Sequence, residues 1–193
     1  MDYKRKGMAN TVKEEIVDAI QGAGDVLNAL TDAVSGVLKN VLQNAGQIGT
    51  AAAEDVAEVI RGTIQGVVET GNDLGLAAKG IVLGTLRASH EIGEEALNTI
   101  AYTVSCVVKN TAEVTGDAAF AARGAVQGAI EAAREMGLNV EHTASVAATS
   151  AVKAAYEISS EAGLRVRDAV TGTVSGIKVI LREPFKSEEK KPE

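Results

Sequence analysis

A chain of 193 residues with 46% hydrophobic content is long enough to bury a core, but aromatics are only 3% and Trp is absent, so Ala, Val, Ile and Leu must build it. A net charge of −7 with basic residues scattered singly excludes a phosphate-tracking nucleic-acid surface. One cysteine, Cys106, excludes an internal disulfide, and the longest stretch free of Asp, Glu, Lys and Arg, residues 40–53, falls short of the roughly 18 residues a membrane span needs. No secretory apolar segment follows the basic start. The expected location is cytoplasmic, at most peripheral to a membrane or granule.

In chain order, residues 1–10 read as a flexible basic head. Thr11 then reads as a helix cap, with Glu14 placed to complete a capping box. Ile16, Val17, Ile20, Ala23 and Leu27 follow at helical spacing, and the stripe continues through Leu30, Val34, Val37, Leu38 and Val41. Asn44–Thr50 supplies a turn and a new cap. A second stripe carries Val56, Val59, Ile60, Ile64, Val67 and Val68. Breaks or soft joints are expected at Gly71–Asp73, Gly116–Asp117, Gly137–Asn139 and Ser159–Gly163, where a helix-stopping residue meets a capping one. No Pro precedes residue 184. The fold class is therefore all-α, long amphipathic helices in an internally repeated bundle or extended array, with no sheet. Residues 183–193 read as a disordered charged tail.

Repetition organises the region 11–182. AVSGVLKNVL at 33–42, TVSCVVKNTA at 103–112 and TVSGIKVILR at 173–182 begin 70 residues apart, giving repeats of roughly 21–90 and 91–160 and a partial one at 161–182. A separate pair, RGTIQGVVE at 61–69 and RGAVQGAIE at 123–131, is offset by 62. Small-residue pairs recur as Gly62/Gly66, Gly71/Gly75, Gly80/Gly84, Gly124/Gly128 and Gly172/Gly176. These ten glycines are the candidate helix-packing residues. Each costs a helix about 1 kcal/mol relative to Ala, which close approach to a neighbouring backbone would offset. Gly66 and Gly128 are both followed by an apolar pair and Glu.

A finer period of 11 links Val59, Thr70, Ile81 and Ile92. The strings RGTIQG, KGIVLGTL and AVSGV resemble the 11-residue repeats of perilipins, and the Ala-rich, aromatic-poor whole is similar to bacterial phasins. Late-embryogenesis-abundant proteins share the period but are strongly hydrophilic and Lys-rich, whereas mean hydropathy here is +0.07. The first two resemblances imply helices that coat a lipid or storage-granule surface.

No catalytic, cofactor-binding or metal-binding residue is identified. His90 and His142 are the only histidines, 52 residues apart in sequence, and read as residues of polar helix faces. Glu14/Glu15 and Glu94/Glu95 have no catalytic companion, and Cys106 sits in an apolar run as a small hydrophobe. The GxxxG pairs lack the Lys of a phosphate loop. The expected protein is non-enzymatic, takes no cofactor, and has as partner an apolar surface or copies of itself as a homo-oligomer. Surface coating is the leading function, a self-assembling structural protein the alternative, and a desiccation protectant the third reading.

Overall fold

The structure, a computed structural model, describes residues 2–45, 50–91 and 96–182. It consists of α1 (Asp2–Ile20), α2 (Val26–Ala45), α3 (Thr50–Glu69), α4 (Leu74–Glu91), α5 (Ala96–Thr115), α6 (Ala118–Glu135), α7 (Val140–Ile158) and α8 (Ser160–Val170), followed by β1 (Gly172–Val174) and β2 (Ile177–Val179). The turn expected within Asn44–Thr50, the pair Glu94/Glu95 and the tail 183–193 lie wholly or mainly outside the described residues.

Gly followed by Asp or Asn punctuates the helices. At the end of α3, Gly71 adopts φ +69°, the Gly71 amide donates to Val68 O and the Asn72 amide to Val67 O, which together satisfy the last carbonyls. Asp73 then caps α4 by accepting from the Leu76 amide at 2.7 Å. Gly116–Asp117 and Gly137–Asn139 do the same for α6 and α7. The expected joints at these places are turns. At Ser159–Gly163 only Ser159 breaks the helix, and Gly163 lies inside α8 against the Tyr156 ring.

Three expectations are corrected. The apolar stripe from residue 11 to 41 is not continuous, because Gly22 and the cap Asp25 turn the chain between α1 and α2. Helix α1 already begins at Asp2, so residues 2–10 are helical and Thr11 is not a cap; its hydroxyl donates to Gly7 O one turn earlier. Packing extends that helix, since buried Ala9 and Val12 lie under Gly62 of α3. Finally, helix does not continue to Leu181. TVSGIKVILR forms an antiparallel hairpin, with Val174 opposite Ile177 and Gly172 opposite Val179. Its two-residue loop, Ser175–Gly176, has φ of 48° and 80°, the double left-handed geometry of a type I′ turn.

Each helix packs on its sequence neighbour and, through most of the array, more extensively on a helix two positions away. Helices α1, α3, α5 and α7 therefore form one layer and α2, α4, α6 and α8 the other. Because consecutive helices from α1 to α7 reverse direction, those within a layer run parallel. The core lies between the layers and is aliphatic: Ile16, Leu30, Leu38, Ile60, Ile64 and Ile81 are among its fully buried side chains, with Ala filling most of α6 and α7. The starts of α4, α5, α6 and α7 fall 22 residues apart, so the structural unit is one helix with its turn. The strings that recur 70 residues apart lie in α2, in α5 and in the hairpin. No helix among the described residues is long and apolar enough to cross a membrane.

Candidate functional site: the contacts between helices two apart

The closest helix contacts involve glycine against backbone. A Cβ at Gly62 would lie 2.4 Å from Ala9 O of α1; at Gly84, 2.6 Å from Thr31 O of α2; at Gly124, 2.0 Å from Gly75 O of α4; and at Gly128, 2.6 Å from Lys79 O. Gly66 meets Lys13 O and the Ile16 side chain at 3.0–3.2 Å, and Gly80 meets Leu30 at 2.9 Å. Gly75 faces the Phe120 ring at 3.1 Å. In every case a helix lays its glycine on the helix two before it, or receives such a contact. The remaining three glycines are corrected: Gly71 is a turn residue, and Gly172 and Gly176 belong to the hairpin, all three with positive φ and open space around the missing Cβ.

An acid completes each contact. One turn beyond the second small residue, Glu69 of α3 pairs with Lys13 of α1 at 2.8 Å. Glu91 of α4 pairs with Lys39 of α2, and Glu113 of α5 with Arg61 of α3 at 2.6 Å. Glu131 of α6 pairs with Lys79 of α4, and Glu157 of α7 with Lys109 of α5 at 2.6 Å. Seven residues before each of these glutamates stands Gly62, Gly84, Cys106, Gly124 or Ser150, and three before it Gly66, Ala88, Asn110, Gly128 or Ala154. Positions separated by four and then three residues share one helix face. Five consecutive helices thus carry the same docking element, small-x-x-x-small-x-x-Glu, with Asn110 as its largest variant. Asn110 is accommodated because its side chain accepts from Arg61 Nε at 3.1 Å and donates to Cys106 O at 3.0 Å.

The ion pairs tune their own groups. The hydrogen bond from Lys109 holds the Glu157 carboxyl below the usual carboxylate range, and the bond to Glu69 raises the Lys13 ammonium. Arg87 is likewise raised, first by its two bonds to Glu135. One further pair, Arg87 with Asp32 at 3.5 Å, runs in the opposite sense.

Groups capable of chemistry lie apart from these contacts or are muted within them. Cys106 is half-buried, and burial pushes its thiol up. Tyr102, also raised chiefly by burial, donates to Ala53 O. His142 Nδ1 lies 2.7 Å from an Arg182 guanidinium nitrogen, while His90 is exposed at the end of α4. Among the described residues no three His, Cys, Asp or Glu converge as metal ligands would. The glycines of the docking element were legible in the sequence, whereas the partner cations and the non-glycine members were not. The glutamate seven residues after the first small position was the available signal.

No protein-family model matches the chain, and no curated protein matches it. Among solved structures it is similar to the crystal structure of a de novo designed helical repeat protein, at 18% identity and a TM-score of 0.50, over 86% of this chain and 91% of that one. At that identity the likeness concerns fold alone, and the fold of this chain is a helical repeat array.

Proposed function

We propose that the chain is a non-enzymatic structural protein whose working form is the folded two-layer array, joined to copies of itself by contacts of the kind that build each array. The observation that carries this reading is the repeated docking element: helices α3 to α7 each pair its glutamate with a cation of the helix two before, and in α3, α4 and α6 its glycines lie directly on that helix. Such nearest-neighbour construction suits an architectural role, since stability accrues unit by unit. The apolar stripes of the helices are already occupied by the core.

Coating of a lipid or granule surface is the second reading. It is favoured by Phe120, Leu164 and Ile180, apolar side chains that are 45–64% exposed. Sedimentation over a range of protein concentrations, with and without a phospholipid-coated triolein emulsion, separates the two. Self-assembly gives a mass that rises with concentration and protein that stays in the aqueous phase. Flotation with the droplets, accompanied by loss of amide protection in the core, would replace it with the coating reading.

A further inference from the structure

The docking element also occurs in α1 and α2, where none of the described residues is docked on it. In α1 its positions are Gly7, Thr11 and Glu14, and in α2 they are Gly36, Asn40 and, in place of the acid, Gln43. All six are exposed, and the space around a Cβ at Gly7 or Gly36 is open. Glu14 pairs with nothing among the described residues. At the other end of the same layer, Lys153 of α7 stands four residues before Glu157, as Lys109 of α5 stands four before Glu113. Lys109 holds an acid of the next helix in its layer, whereas Lys153 is exposed and pairs with no acid of another helix among the described residues. Among the described residues, the ladder of ion pairs in this layer therefore has an unmatched acid in α1 and an unmatched cation in α7.

We infer that the α1 edge of one copy docks on the α7 edge of another, with Glu14 taking Lys153 as its partner. This rests on the self-assembly reading and specifies its surface. The occupant is a second copy because the two end rungs are complementary in charge, and because the same element joins helices two apart five times inside each array. A contact between different patches on identical chains is heterologous, so it propagates in one direction and produces an open linear assembly.

The C-terminal segment bears on this contact. Ser145 donates to Ile180 O, the Arg182 amide donates to Thr149 Oγ at 3.1 Å, and Arg182 reaches His142, so residues 180–182 lie along the first half of α7 and leave Lys153 exposed. Full docking of a helix along α7 requires this strap to move aside. Buried Val179 helps to hold it.

The test uses full-length Glu14→Lys, full-length Lys153→Glu, and their equimolar mixture, each in the wild-type and the Val179→Asp background. Amide exchange of residues 172–182 verifies release of the strap, and circular dichroism verifies the helices. Each single variant sets like charges at its own head and tail, so its association should fall about tenfold or more. In the mixture the introduced lysine of one variant meets the introduced glutamate of the other, and the unaltered Glu14 and Lys153 also face each other across the two variants. Association should therefore recover, more strongly with the strap released. Association that ignores both reversals would overturn the α1–α7 contact while leaving self-assembly standing. No association in any sample of either background would remove self-assembly itself.

Discussion

A methyl group at Gly124 would come within 2.0 Å of the Gly75 carbonyl oxygen, whereas one at Gly36, at the matching place in its helix, would meet nothing within 4 Å. Substitution at these positions should therefore change sign with occupancy. Gly128→Leu and Gly66→Leu overpack a closed contact and should cost about 1–3 kcal/mol. Gly36→Ala removes a poor helix former from an open face and should stabilise by up to about 1 kcal/mol. Thermal melts of the three variants check this, and a higher melting temperature for Gly66→Leu would show that the glycine only softens its helix. Glycine pairs were legible in the sequence because few other residues permit backbone contact. Ala88, Ser150 and Ala154 were not, since Ala and Ser are common throughout the chain and become docking residues only through the helix beneath them. The cations were hidden for another reason: Lys13 and Glu69 are partners across a whole intervening helix, and no local spacing announces that.

At the level of elements, each ion pair ties two parallel helices whose like dipole ends lie side by side. The direction of the shifts fixes the pH response. Glu157 has a lowered folded pKa, so its contribution is complete above the ordinary carboxylate value of about 4.3 and is lost as pH falls through the folded value. Lys13 has a raised one, so its contribution is complete below about 10.4 and is lost as pH rises through the folded value. Urea midpoints should be level between roughly pH 5 and 9 and fall on both sides, with the acid limb shallower in Lys109→Gln and both limbs weaker in high salt. An unchanged acid limb in that variant would mean that the pair contributes nothing to folding. Turns were legible at Gly71–Asp73, Gly116–Asp117 and Gly137–Asn139, where Gly is followed closely by Asp or Asn. The turn at Gly22–Asp25 was missed because apolar residues continue through it in helical register. The hairpin was missed because its string also occurs in two helices. What separates the third copy is Gly172, four residues before Gly176; both take positive φ and stop the helix that the flanks of α2 and α5 sustain.

For the molecule as a whole, the all-α class was legible from periodicity and the scarcity of Pro, but the two layers were not, because periodicity shows that a helix has a buried face without saying which helix covers it. The layers predict a gradient of stability. Helices α4 and α6 have neighbours on both sides within their layer, whereas α1 and α2 have one. Native-state hydrogen exchange should find the slowest amides in α4 and α6 and faster ones in α1; equal protection throughout would indicate a single cooperative block rather than an array. The shared docking element has a further consequence for how such a chain can change its length. RGTIQGVVE serves in α3 of one layer and RGAVQGAIE in α6 of the other, so membership of a layer is assigned by odd or even place in the chain and not by the string itself. Duplicating three helices shifts every later helix to the opposite layer and still leaves each one a partner two places back. Gain or loss of any whole number of helices, including an odd number, is therefore compatible with the fold, and the chain behaves as a sequence of interchangeable units whose roles are set by counting.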